Sequence, residues 1–540
     1  MSKKVLRALT VLVVMAFMNG SAFAANNATS TTTGSNNNSA ITQSGDGQTA
    51  DVDQNGDNND SDVQQSDADN TADIDQDGDD NLSTANQSGA GNTANVDQDD
   101  TNQDSNVEQS GDSNLANVTQ SGDGQISDVN QSGDLNTADV VQAGADNLST
   151  VDQSGAENQA TVDQDGDEND SDVNQSGNVN TANVDQDGED HESTIDQSGD
   201  SNNAEVTQTT SNNTSDVDQS GNGNNAIVNQ VNDLDFSEVF QSGNDNEAFV
   251  DQDRGNQSTV DQSGDDNTAD VNQIGNAVGT NVGNESTITQ SGDLNTAVVD
   301  QDDNNESTIE QQGDLNLATV DQTGFSGTDT NTSDILQIGD GNIADVTQNG
   351  NLNESNIVQR FGNDAIVIQS GTENVSNVDQ GDSNTAEVTQ SGDRNLSDVN
   401  QHHDPFESDS NEAYVTQSGN DNVSTVNQNG VIPNGKSVDN TATVEQSGDW
   451  NVATVTQDDF NTASVLQTGL GTAGDPNTVD ITQFNDGDFA EAEQHGGEGN
   501  AITINQEACC NSNVAPFGAN NFATAIQTGT FNTTTITQLP

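Results

Sequence analysis

The feature that most constrains the fold is an eleven-residue period in glutamine. From Gln43 a glutamine falls at every eleventh position through Gln252, twenty in register without a slip. Ser or Ala stands four residues before each, and Val or Ile two before each except at Ala85. Gly stands two after fifteen of them, and Asn usually five after. The small residue alternates, Ser39, Ala50, Ser61, Ala72, Ser83, Ala94, so the full repeat is 22 residues in two halves. That alternation survives every change of spacing up to Ala442, which places insertions in turns. Such a chain can stabilise a thin core by stacking like units, each burying its apolar side on the next.

Within a half, small residue, valine and glutamine are spaced by two, the period of a strand, which puts them on one face. Ala160, Val162 and Gln164 therefore face inward while Thr161 and Asp163 face out; Ser171, Val173 and Gln175 repeat the pattern with Asp172 and Asn174 outside. The x-G-x-x-N that follows is a turn signal, in which glycine takes positive φ and asparagine tolerates it. The expected fold is all-β, a two-sided parallel β-solenoid of about twenty 22-residue strand-turn-strand-turn rungs. Stacked Gln and Asn amides can satisfy one another along its axis. Proline, which cannot donate to a ladder, gives an independent check. Pro405, Pro433, Pro476 and Pro516 all fall where the spacing between glutamines is lengthened, and Pro540 is terminal.

The first 24 residues, MSKKVLRALTVLVVMAFMNGSAFA, read as a secretory signal peptide: Lys3, Lys4 and Arg7, an apolar run from Ala8 to Met18, then the small-residue cleavage signal Ala22-Phe23-Ala24. The apolar run is about half the roughly 20 residues a bilayer needs, and no other segment is a candidate span, so no transmembrane segment is expected in the mature chain. Residues 25–38, with NNATSTTTGSNNN, read as a flexible leader, and 39–467 as regular rungs. In 468–540 regularity has decayed: Ala453 and Ala463 have already broken the Ser/Ala alternation, and the interval from Gln506 to Gln527 is enlarged. Imperfect rungs that cap the last edge are expected there. Removing the signal leaves 4 basic residues against 92 acidic, a formal charge of 4 − 92 = −88. That excludes nucleic acid, whose binding needs a cationic face. The only cysteines, Cys509 and Cys510, make no disulfide framework.

The pattern N-x-[SA]-x-V-x-Q-x-G-x-x-N, intact in NTAEVTQSGDRNLSDVNQ and carried by NTANVDQDGEDHESTIDQSGDSN apart from His191 and Ile195, resembles the curlin repeat of curli-type functional amyloids. The resemblance implies a chain exported by Gram-negative bacteria and assembled with its own copies into extracellular cross-β fibres of adhesion and biofilm matrix. It further implies a curlin-like nucleator and an outer-membrane secretion machinery as partners. Inward Ser, Gln and Asn ladders carry polymerisation in that family. Carried over, the residues are Gln54, Gln76, Gln98, Gln120, Gln164 and Gln186, with turn residues Asn81, Asn92, Asn114 and Asn136.

No enzyme is expected, since none of the histidines, His191, His402, His403 and His495, pairs with a recognisable nucleophile and too few His or Cys exist to complete a metal shell. The acidic turns are the better lead. DQDGDDN at 75–81 and DQDGDEN at 163–169 gather oxygen ligands round a glycine, which makes Asp75, Asp77, Asp79, Asp163, Asp165 and Asp167 candidate ligands for weakly bound Ca²⁺. The competing reading is a solvated acidic face that keeps the protein soluble. A second functional reading is thus a monomeric, acidic, cation-binding solenoid adhesin. A third, an ice- or surface-binding solenoid, needs a flat array of outward Thr; Thr119, Thr161 and Thr207 lie scattered among Asp and Asn.

Overall fold

Alternation of inward small, β-branched and amide side chains with outward polar ones makes every repeat extended and leaves only the turns to reverse the chain. The computed structural model describes residues 25–275, 283–324, 330–401, 410–428, 439–458, 460–484, 487–506 and 521–538. These form 44 strands, numbered β1–β44 in chain order, and no helix. The chain divides into two units, residues 1–255 and 256–540. In each, odd-numbered strands build one parallel sheet and even-numbered strands the other, giving a two-sided β-solenoid of about twenty rungs in all. No helix among the described residues is long and apolar enough to cross a membrane.

In unit 1, β13 (Gln159–Asp167) pairs with β15 (Thr181–Glu189) so that Ala160 meets Ala182, Val162 meets Val184 and Gln164 meets Gln186. On the other sheet β14 (Asp170–Gln175) pairs with β16 (Glu192–Gln197), aligning Ser171 with Ser193 and Val173 with Ile195. Val162, Val173 and Val184 are fully buried between the sheets, each contributing about 1.5–3 kcal/mol at most. In unit 2, lengthened turns leave the register intact. Ser258, Val260 and Gln262 of β22 (Gln257–Gln262) meet Ser286, Ile288 and Gln290 of β24 (Glu285–Gln290) across a 28-residue spacing.

One expectation needs correction and two are refined. Residues 25–38 are not a flexible leader: Asn27–Ser35 form β1, paired with β3 (Thr49–Asp57), Ala28 against Ala50 and Gly34 against Gly56. Thr32 and Ser30 stand where Gln and Val stand elsewhere, but small residue, glycine and Asn37 keep their places, and these suffice to hold the register. The C-terminal stretch, expected as imperfect rungs, keeps the register of the solenoid. Among the described residues β43 (Phe522–Thr528) and β44 (Thr533–Gln538) continue the rungs, paired on β41 (Phe489–His495) and β42 (Ala501–Gln506). No described strand pairs on their outer edges, and the inward Thr534, Ile536 and Gln538 are only half-buried. The buried turn asparagines Asn81, Asn92, Asn114 and Asn136, finally, do not use the positive φ that asparagine tolerates. It falls on the residue before each, Asp80 (64°), Gly91 (74°), Ser113 (61°) and Leu135 (61°).

Pro476 lies directly before β40 (Asn477–Gln483), outside any strand. The other four prolines, both cysteines, His402, His403 and residues 1–24, where the signal peptide is expected, lie outside the described residues.

Candidate functional site

The inward amides form continuous columns. Each glutamine side-chain N–H donates to the glutamine carbonyl one rung on: Gln54 to Gln76 at 2.8 Å, Gln76 to Gln98 at 2.8 Å, Gln98 to Gln120 at 2.9 Å and Gln164 to Gln186 at 2.8 Å. Its second N–H crosses to the opposite sheet, as from Gln164 to the Leu148 carbonyl at 2.9 Å. The column therefore ties rung to rung and sheet to sheet, and all six glutamines proposed from sequence belong to it, each no more than 2% exposed.

The four asparagines are also buried, in columns along the turns. Here the carbonyl oxygen of the side chain accepts the main-chain N–H of the next asparagine in the column, Asn136 onto Asn114 at 2.9 Å and Asn114 onto Asn92 at 2.9 Å. The amide nitrogen donates to the glycine carbonyl of the following turn, from Asn92 to Gly111 at 2.8 Å and from Asn136 to Gly155 at 2.9 Å. Asn81 does the same on the opposite edge, receiving the Gln103 N–H at 3.1 Å. Serine takes no part. Ser61, Ser83 and Ser171 are buried with no hydrogen bond to protein, so amides alone make the ladders. Glycine is demanded by these stacked carbonyls as much as by backbone conformation. A Cβ on Gly133, whose φ is not positive, would meet the Gly155 oxygen at 1.6 Å.

The acidic candidates lie outside. Asp75, Asp77 and Asp79 are exposed at alternate positions of one strand, β5 (Thr71–Asp79), and Asp163, Asp165 and Asp167 likewise on β13. Alternate residues of a strand stand about 6.8 Å apart, too far for three carboxylates to converge on one ion at 2.3–2.6 Å. Among the described residues no group of three or more His, Cys, Asp or Glu side chains could hold a metal ion. Instead the carboxylates stack in columns, Asp53–Asp75–Asp97 and Asp163–Asp185. Burial first, and then the neighbouring aspartates, push the Asp75, Asp97, Asp163 and Asp185 carboxyls above the ordinary range. Because the folded state holds these protons more tightly, their contribution is fully present below the unfolded value and is lost as pH rises through the folded one. The urea midpoint of the full chain is therefore expected to rise as pH falls from about 7 to about 4.5. About 0.5 M NaCl, or less CaCl₂, should raise the pH 7 value towards it. A midpoint indifferent to both would mean that the columns do not repel.

Ten segments of the chain match the model of the curlin-associated repeat: residues 40–66, 68–99, 111–144, 128–155, 144–177, 177–209, 199–231, 254–275, 303–328 and 439–469. The chain is a curlin-repeat protein. No curated protein matches it. Matched segments and the unmatched stretch between 328 and 439 build the same curlin rungs, with Ser333 of β28 (Asn331–Ile338) over Ser355 of β30 (Glu354–Phe361), and Gln337 bonded to Gln359 at 2.9 Å. Family and fold together point to an extracellular, amyloid-like structural protein rather than an enzyme.

Proposed function

We propose that the chain is a secreted subunit of curli-like fibres, polymerised with its own copies at the surface of a Gram-negative bacterium and serving adhesion and biofilm matrix. A nucleator and an outer-membrane secretion machinery belong to this reading through the family. The observation that carries it is the match between the first and last described rungs. Among the described residues β1 is paired on one side, by β3, and β2 (Asn38–Asp46) by β4 (Asp60–Ala68); β43 and β44 are likewise paired on one side, by β41 and β42. Continuing the register from one copy to the next sets Ala523 over Ala28, Ile536 over Ile41 and Gln538 over Gln43, so that the apolar and amide columns run on in the even-numbered sheet, while in the odd-numbered sheet Ala525 and Gln527 meet Ser30 and Thr32.

Charge supports the same joint. Asn27–Gln43 and Phe522–Gln538 contain no charged residue; Asp46, at the end of β2, lies beyond the residues that would face Phe522–Gln538, and the strands of every rung between these two carry at least one carboxylate. Two copies thus meet through Thr, Asn, Phe and Ile, without the carboxylate stacking found inside each chain. Ions act on this reading by screening the interior columns, and Ca²⁺ is a screening partner rather than a cofactor of one turn.

The test is dilution of the full chain from denaturant. Fibres with spacings near 4.7–4.8 Å and about 10 Å are expected. In them Thr29→Asp combined with Thr524→Asp, which places like charges across the joint at about 1 kcal/mol of repulsion, should slow elongation about fivefold at low salt and little at high salt. A chain that stays monomeric at all salt concentrations would support the cation-binding adhesin instead.

A further inference from the structure

One position in the buried asparagine column on the turns after the odd strands is a histidine. His191 stands five residues after Gln186, where Asn147 and Asn169 stand after Gln142 and Gln164, and it is 1% exposed. Its main-chain N–H donates to the Asn169 side-chain oxygen at 3.1 Å, as an asparagine there would. Its ring then substitutes for the amide oxygen: Nδ1 accepts the main-chain N–H of Asn213, one rung on, at 3.3 Å. An acceptor at Nδ1 fixes the neutral tautomer with its proton on Nε2. The ladder is continuous only while His191 is uncharged.

We propose that His191 makes the contact between its rung and the next a proton-sensitive break point of the solenoid. A second proton can go only to Nδ1, where it faces the Asn213 N–H, donor against donor, on a side chain buried from solvent. Asn213 then loses the kind of acceptor that His191 and Asp235, the adjoining positions in its column, have in Asn169 and Asn213, and the turn after β17 (Asn203–Ser211) separates from the turn after β15. Charges round the ring act in the opposite sense. Asp187, Glu189 and Asp190 lie in its own turn with Glu192 just beyond, Asp167 and Glu168 in the turn before, and Asp233 and Asp235 two turns on; the intervening turn, Thr209–Asn213, has none. Burial outweighs them and holds the imidazole below its usual value. The contribution to stability is accordingly present above the unfolded histidine value, near 6.5, and lost as pH falls below it.

This sign is opposite to that of the aspartate columns, so a global midpoint cannot report it and a local readout is needed. Amide hydrogen exchange of the full chain, corrected for intrinsic rate, should show protection of Asn213 falling about tenfold or more between about pH 7 and pH 4.5. Asn202, whose N–H is held by Asn180 at 2.9 Å, should hold or gain protection. His191→Asn restores the residue used elsewhere in the column and should abolish the loss at Asn213; His495→Asn should leave it unchanged. Undiminished protection of Asn213 at low pH, or the same loss in His191→Asn, would overturn the assignment.

Discussion

Replacing Gly166 with alanine is expected to destabilise the solenoid locally by on the order of 3–5 kcal/mol, whereas Gly91→Ala should cost only about 1 kcal/mol. Both glycines have positive φ, 136° and 74°. They differ in what lies above them. A Cβ on Gly166 would come 1.8 Å from the Gly188 oxygen and 2.8 Å from its carbonyl carbon, main-chain atoms of the adjoining rung that cannot rotate away. Relief requires the rungs to separate, which sacrifices the bond from the Asn169 side chain to that same Gly188 oxygen, 3.1 Å long. Above Gly91 there is only the Ser113 hydroxyl at 3.5 Å, an ordinary contact. Urea midpoints of the two variants separate the cases. Equal shifts would show that conformation alone, and not carbonyl stacking, selects glycine in these turns.

The second large effect lies in the glutamine column. Gln164→Leu combined with Gln186→Leu should destabilise by on the order of 5 kcal/mol and slow fibre assembly correspondingly. The double change removes the acceptor for Gln142 (2.9 Å), the donor to Gln208 (2.9 Å) and both donors to the Leu148 and Asp170 carbonyls (2.9 and 3.0 Å). Each buried polar group left without a partner costs roughly 1–3 kcal/mol. The outward Thr161→Ala and Thr207→Ala serve as controls and should stay within about 0.5 kcal/mol. If the inward and outward pairs shifted the midpoint alike, the columns would be incidental to stability.

The sequence carried the facing of residues and the register plainly, because a period of two fixes which side chains share a face and a period of 22 fixes what stacks on what. Where a signal was partial, the reading failed in a physically instructive way. β1 went unseen because Thr32 replaces the glutamine, although Gly34 and Asn37 hold the spacing of the turn. The asparagines are legible as ladder residues, but not the way they bond: side-chain oxygen to main-chain N–H rather than amide to amide. That bonding depends on main-chain N–H groups of the next rung, which only stacking brings within 3 Å. Counting five residues on from Gln186 would have put His191 in the same column. The aspartate turns misled for a different reason. DQDGDDN looks like a compact loop in one dimension, yet in the fold its acids extend along β5 and find their near neighbours in other rungs. The end of the chain, read as imperfect rungs from its irregular spacing, has lost regularity in its spacing while the described strands keep their register.

What most directly tests the account is the contact between copies, and cryo-electron microscopy of fibres grown from the full chain would show it. The expected image is a head-to-tail stack in which β43 and β44 of one copy continue onto β1 and β2 of the next at the rung spacing of about 4.8 Å, with Ile536 over Ile41 and Gln538 over Gln43. Copies that instead meet side by side through their outward sheet faces, leaving those edges free, would contradict it.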